Sequence, residues 1–589
     1  MQGFLLFADR LMDAQLRNAD GSLIYRTGLE YDTRNRLTAL KETLPIRPFS
    51  TGYTYDNDNR VTGMTFDGEN ALSYTYDNLG RVATRTTSPL SSTYSYVGGG
   101  YGADSTTPLV SSIQQTGISF AYTYDNRGNI TSETRNGATT TYAYDALGQL
   151  VRVNDPHENA TWVYNYDRGG NITSKVKYSF TTGALGAAIE TIPYAYGDAN
   201  WKDKLTAYNG TAITYDAIGN PLNDGTWNYT WTAGRQLAQM AKDGMTIQYK
   251  YDHNGLRIAK VVNGVETKYI LNGKQLTHLH RGNDWMHFFY DAQGRPAKVR
   301  YNGTIYSYIL NLQGDIVGII DTNGNVVVEY KYDAWGKHLS TAGSMAGSLG
   351  NLNPFRYRGY VYDEETGLYY LRGRYYNSEL QRFINADTLM KQKRFAGKHN
   401  LFVYASNNPA MFIDDNGHEP SSVARSIVAA CKLALYNILY RDANCYGFAL
   451  KRNEKVYVGE KGENMPKSLN DLAAVCAGVE SDGKTLGIRR IESMTSEIED
   501  DEYRIALRVG SAEVKSLSTG EPMVINDYHF MKQEADGRWM HKPGNRPVQY
   551  LPEGETPETV SWDLPYQTGA LACKGFYDSD IIYFAVKKR

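Results

Sequence analysis

The sequence predicts a mainly β fold: a long antiparallel sheet of tandem hairpins, followed by a small α+β domain. Three observations carry this reading. A Tyr-x-Tyr-Asp string recurs along the first two thirds of the chain. Tyr (48) outnumbers Phe (17) and Trp (8) together, and Gly reaches 56; Tyr suits a half-exposed pleated surface and Gly supplies the positive φ of turns. All four cysteines, Cys431, Cys445, Cys476 and Cys573, lie in the last third, which marks that part as a separate module.

The repeat unit explains itself residue by residue. Tyr74-Thr75-Tyr76-Asp77 is followed by Gly80-Arg81-Val82, and Tyr53-Thr54-Tyr55-Asp56 by Asn59-Arg60-Val61. Further copies end at Asp125, Asp145, Asp167, Asp252 and Asp333, with looser ones at Asp32, Asp216 and Asp291. Tyr-x-Tyr is a period-2 strand with both rings on one face. Asp-x-x-Gly is a turn, because Asp bonds the backbone two residues on and Gly takes the left-handed position. Spacings of 20 and 22 residues between Asp125, Asp145 and Asp167 define one hairpin per unit. The later spacings of 39 and 42 imply two units with a degraded middle copy. A hairpin of that size is unstable alone, so neighbours must pair into a continuous sheet. The aspartates read as turn caps in preference to a row of metal or sugar ligands.

These strings resemble the YD-repeat, or RHS, family. A more specific match is the block Asn353-Pro354-Phe355-Arg356-Tyr357-Arg358-Gly359-Tyr360, continued by Tyr369-Tyr370-Leu371-Arg372-Gly373-Arg374-Tyr375-Tyr376 and Gln381-Arg382-Phe383-Ile384. It is similar to the RHS-associated core that closes the repeats. The resemblance implies a sheet that spirals into a hollow β-shell, or cocoon, over residues 1–350, closed by a core at 351–417. It also implies a polymorphic toxin whose C-terminal effector (418–589) is enclosed, or else a surface adhesion protein. A cognate immunity protein is expected from the same resemblance, as is export to the cell surface or medium.

At the end of the core, RHS toxins carry paired aspartate motifs that act as an intramolecular aspartyl protease. The matching positions here are Asp387 and Asp414, with Gly417 retained and the cut expected next to His418. Such chemistry needs two close carboxylates sharing a proton, one serving water and one serving the departing amide. The sequence departs from the motif: Thr388 follows Asp387, and Asp415 stands where Pro is usual after Asp414. Two readings stand, self-cleavage or a pair of turn aspartates.

Beyond residue 418 the repeat stops. Val423, Ile427, Ala430, Cys431, Ala434, Leu435 and Ile438 form a helical stripe, and strands are expected at 503–509, 522–533 and 581–586. Cys476, within Leu472-Ala473-Ala474-Val475, reads as helix core. Cys445, in Asn444-Cys445-Tyr446-Gly447, is expected at a helix N-terminus, where backbone amides favour a thiolate. His529 lies on an expected strand, and Asp536-Gly537 signals a hairpin whose return strand carries His541. Cysteine, then histidine, then a polar third group resembles papain-like and NlpC/P60-like hydrolases. Cys445 would be nucleophile, His529 base and His541 orienter, with Asp536 and Asn545 as other candidates for that third role. The competing reading has Cys445 and His529 as ordinary packed side chains.

Composition narrows the remainder. Lys+Arg (62) and Asp+Glu (64) leave a net charge of −2, and residues 418–589 carry 22 basic against 25 acidic side chains. Such a chain lacks the basic field that nucleic acid binding uses, so no nucleic-acid partner is expected. No run reaches the roughly 18–20 apolar residues of a membrane span, and residues 3–7 are too short for a signal-peptide core. No stable membrane insertion is expected. No CxxC pair, HExxH string or Gly-rich phosphate loop occurs, so no metal or cofactor is expected. The expected substrate is a protein or peptide amide, attacked by a protease, deamidase or transglutaminase; carbohydrate contact by the repeats belongs to the adhesion alternative.

Overall fold

A computed structural model describes residues 2–7, 10–17, 22–34, 36–44, 47–98, 106–388, 400–418, 421–422, 472–486, 488–499, 502–515, 522–533, 539–541, 549–551, 556–559, 579 and 581–587. The chain divides into two compact units, Met1–Val428 and Ala429–Arg589.

In the first unit, 19 strands from Gln2–Phe7 to Thr211–Ala212 form one sheet, each pairing antiparallel with the next. A second sheet of 14 strands runs from Thr214–Tyr215 to His338–Ala342 in the same manner. Both are large antiparallel sheets of the kind from which a β-shell is made.

The repeated string does in three dimensions what its chemistry dictates. At Asp145, one carboxylate oxygen accepts the amides of Leu147 and Gln149 at 2.9 Å, and the other accepts Gln149 Nε2 at 2.8 Å. Gly148 closes the turn at φ 80°. The same clamp recurs at Asp32, Asp56, Asp77 and Asp291, where the fourth residue on is Arg and its Nε takes the second oxygen. Asn59 stands in the Gly position of one copy at φ 64°. The degraded middle copy between Asp291 and Asp333 is Asn311, whose Oδ1 accepts the Asp315 amide at 2.9 Å.

The two tyrosines of each copy have separate tasks. The first is core: Tyr74, Tyr122, Tyr164 and Tyr249 are buried. The second donates its hydroxyl to a backbone carbonyl of an earlier strand. Tyr76 reaches Val61, Tyr124 reaches Val110, Tyr144 reaches Ile130 and Tyr166 reaches Leu150, at 2.6–2.7 Å. Each repeat is thereby tied to the strand before it.

The sheets pack on each other. Phe66 stacks on Phe289 at 4.3 Å, and Leu90, Ile113 and Phe120 meet Ile309, Val317 and Ile320. Residues 351–388 and 400–418 then fold as a block of their own. Its four-stranded sheet is Val361–Asp363, Leu368–Tyr370, Tyr375–Asn377 and Arg382–Phe383. Tyr357, Tyr369, Tyr376 and Tyr404 pack against Tyr164, Ile172 and Tyr194 of the first sheet. Tyr370 and Tyr375 pack against Tyr229, Ile247 and Tyr249 of the second.

The second unit holds the helix Leu472–Leu486 and a six-stranded antiparallel sheet ordered Ile488–Ile491, Ile582–Lys587, Glu502–Lys515, Pro522–Gln533, Trp539–His541, Gln549–Tyr550. Cys476 packs with Val475, Val479, Phe530 and Phe584, the helix-core place its sequence indicates, and burial pushes its thiol up to about 11. The strand expected at 503–509 continues to Lys515, because Pro522 to Asp527 supply a ladder partner past Gly510. The helical stripe at 423–440 lies outside the described residues.

Candidate self-cleavage site

The closing block is pinned by charged side chains taken out of water. Asp363 is fully buried and accepts Arg257 Nη1 at 2.5 Å and Lys260 Nζ at 3.1 Å. Burial pushes its carboxyl up, but the two cations hold it below the usual range. Arg358 sits at φ 56°, which turns both its amide and its guanidinium onto Asp315 at 2.7–2.8 Å. Asn407 and Asn408 plug the turns of the first sheet. Asn407 Nδ2 donates to Gly170 O at 2.7 Å, and Asn408 Nδ2 to Gly148 O at 3.0 Å. These contacts fix the chain just before its junction.

The junction is held by the segment Leu371 to Arg374. Arg374, 4% exposed, places Nη2 3.0 Å from Asp387 Oδ2 and 4.0 Å from Asp414 Oδ2. Both sequence-predicted aspartates therefore meet one guanidinium, which stands where a shared proton was expected. Arg374 Nε also donates to the carbonyl oxygen of Gly417. The His418 amide donates to Asp414 Oδ1 at 3.0 Å and to Asn416 Oδ1 at 2.8 Å, and Tyr360 Oη accepts the Asp414 amide at 2.7 Å. The His418 ring meets Asp387 Oδ1 through Nδ1 at 2.7 Å.

The Gly417–His418 peptide is thus gripped at its carbonyl by a cation and at its N–H by a carboxylate. Burial raises the Asp414 carboxyl, against the opposing pull of Arg374 and the His418 amide. Burial also pushes Arg374 down to about 10, so it stays charged at neutral pH. Two glycines make the approach possible. Gly417 lies at φ +75°, and a Cβ there would come within 2.8 Å of Leu371 O. A Cβ at Gly373 would run into His418 Nε2.

The structure brings together Asp387, Asp414, Gly417 and His418. Sequence reasoning missed Arg374 as a member of this group. Its Arg-Gly-Arg string was visible in the core block, but nothing local ties it to residues 387–418.

The C-terminal candidates are placed only in part. Cys445, Asp536 and Asn545 lie outside the described residues. His529 stands on the strand Pro522–Gln533 opposite Arg508, and His541 pairs in register with Met531 on the neighbouring strand. The return strand that the Asp536-Gly537 signal implies is therefore present. Elsewhere among the described residues, Glu42, His278 and His287 form a group with the make-up of a metal-ligand set.

Tandem Tyr-Asp hairpins closed by a single-copy block define the class of YD-shell proteins. The Teneurin YD-shell family model matches residues 106–410, and the chain belongs to that family. A tRNA nuclease WapA of Bacillus subtilis is 37% identical over 226 residues, covering 37% of this chain and 10% of the relative. Double-stranded DNA deaminase toxin A of Burkholderia cenocepacia is 24% identical over 274 residues, 40% of this chain and 19% of the relative. The chain thus spans about a tenth of the length of the WapA relatives it matches. Among solved structures, the Photorhabdus luminescens Tc holotoxin pore superposes with a TM-score of 0.53 at 19% identity, covering 69% of this chain and 23% of that one. That likeness is one of fold.

Proposed function

We propose that this chain is a polymorphic toxin of the RHS type, whose repeat sheets carry an effector, residues 418–589, freed by hydrolysis of the Gly417–His418 peptide. One observation carries the reading: Arg374 on the Gly417 carbonyl and Asp414 on the His418 amide hold the same peptide bond from both ends. In the reaction, water adds to the Gly417 carbonyl carbon while Asp387 takes its proton. Arg374 stabilises the oxyanion that forms. Asp414, its protonation favoured by burial, passes a proton to the His418 nitrogen as the C–N bond breaks. The products are a Gly417 carboxylate and a His418 amine. Purifying the full chain and its Asp414→Asn variant tests this. Wild type yields a fragment beginning at His418, whereas the variant remains at 66.1 kDa.

For the freed effector, cysteine-dependent amide chemistry remains our reading, with Cys445 as nucleophile, His529 as base and His541 as orienter. The product class is a protease, deamidase or transglutaminase. Secretion or cell-surface delivery and a cognate immunity protein go with the toxin reading.

The curated relatives favour a second reading, since their printed names describe action on tRNA and on DNA. Those printed activities differ from one another. Expressing wild-type, Cys445→Ala and His529→Ala chains and assaying toxicity beside tRNA and DNA integrity separates the two. Toxicity lost in both variants with nucleic acids intact supports the thiol mechanism. Toxicity retained, with tRNA or DNA degraded or altered, supports a nucleic-acid effector. A chain without toxicity of any kind supports the adhesion alternative.

A further inference from the structure

Four side chains far apart in sequence converge between the two sheets of the first unit. Tyr25 (strand Leu23–Tyr31) and Glu42 (Leu37–Thr43) come from the first sheet. His278 (Gln275–Arg281) and His287 (Asp284–Tyr290) come from the second, as a directly opposed cross-strand pair. None is more than 3% exposed. The two imidazoles stack at 4.2 Å, and the ring of Phe49 lies 5.1 Å from His278 and 3.9 Å from His287.

The polar atoms of this cluster are poorly matched. His287 Nε2 is 3.3 Å from Glu42 Oε2, and the other Glu42 oxygen accepts the Tyr25 hydroxyl at 2.5 Å. His278 Nδ1 meets Thr277 Oγ1 at 3.0 Å, while His278 Nε2 and His287 Nδ1 have no hydrogen-bond partner. An unpartnered buried polar atom is costly. A buried carboxylate costs more unless something positive faces it. One ligand atom from each of Glu42, His278 and His287 lies within 4.8 Å of the others.

We propose that Glu42, His278 and His287 hold a divalent transition-metal ion that clips the two sheets together. Two neutral imidazoles and one carboxylate are a ligand set suited to Zn2+. The ion supplies the positive charge that Glu42 otherwise lacks and gives His278 Nε2 a partner. Thr277 on His278 Nδ1 and Tyr25 on Glu42 are the outer bonds that orient ligands in such sites. The burial of every ligand and the Phe49 ring against both imidazoles suit a structural role. Residues 42 and 287 lie on different sheets, so an ion between them opposes sheet separation directly.

The test uses the full chain, stripped with a chelator and titrated with Zn2+ or Co2+. Wild type is expected to bind about one ion per chain and, with Co2+, to show the visible bands of a low-coordinate nitrogen–oxygen site. Glu42→Gln and the double variant His278→Gln/His287→Gln are expected to weaken binding at least roughly tenfold and to abolish the bands. His253→Gln, at an exposed turn residue, is expected to change neither. Wild type also decides the matter alone should the variants fail to fold: chelation lowers its thermal midpoint, and Zn2+ restores it. A wild-type chain that takes up no stoichiometric Zn2+ or Co2+ overturns the proposal. Cobalt bands that persist unchanged in folded Glu42→Gln and double-variant chains overturn it equally.

Discussion

The repeat sheets and the block at 351–418 bury polar groups in opposite ways. In the repeats, the turn aspartates Asp56, Asp77, Asp125, Asp145 and Asp167 each accept amides within four residues of themselves, and their neighbours repeat the solution. In the block, buried charges meet partners outside any repeat: Asp363 meets Arg257 and Lys260, Arg358 meets Asp315, and Arg374 meets Asp387. Local, repeated contacts tolerate the loss of a member, as Asn311 in an Asp position already shows. Single-copy contacts have no substitute, and the candidate chemistry sits among them.

The largest expected effect falls on the junction. Arg374→Ala removes the donor to the Gly417 carbonyl and should slow release at least roughly a hundredfold, read as persistence of the uncut chain over time. Next comes Asp363→Ala, which removes the carboxylate facing Arg257 in the interior and leaves Lys260 only Glu365. Breaking one partner of a buried pair costs about 3–5 kcal/mol, measurable by denaturant unfolding of the first unit. The matching change in a repeat, Asp145→Ala, should cost only about 1–2 kcal/mol. Equal losses at Asp145 and Asp363 would break the distinction between the regions. Tyr144→Phe, which leaves the Ile130 carbonyl without its hydroxyl donor, should cost about 1 kcal/mol.

A further effect is a pH limb at His338. Burial, helped by Arg356, pushes this imidazole down to about 4. The unfolded chain binds its proton near the ordinary value of about 6.5 and the folded chain does not. Stability should therefore fall as pH drops from about 6.5 towards 4 and level off below. His338→Gln should remove that part of the slope in unfolding curves taken across this range.

The contrast between regions also explains what the sequence could reveal. Turn caps were legible because Asp and the amides that donate to it lie within four residues. Strands of the C-terminal unit were legible, but the extension of the one expected at 503–509 to Lys515 was not, because its partner strand is not local. The tyrosine hydroxyl bonds, 14 to 16 residues back in the copies at Tyr76, Tyr124, Tyr144 and Tyr166, were not legible, since carbonyls carry no sequence signal. Arg374 escaped for a related reason, its acceptor Gly417 being 43 residues away. Glu42 and His287, 245 residues apart, show no motif spacing at all.

Sequencing the N-terminus of whatever accompanies or replaces the 66.1 kDa chain after incubation at mildly acidic pH tests the account most directly. A product beginning at His418 in wild type, and absent from Asp387→Asn, Asp414→Asn and Arg374→Ala, is the predicted result. An intact wild-type chain, or a cut at another peptide bond, would contradict it.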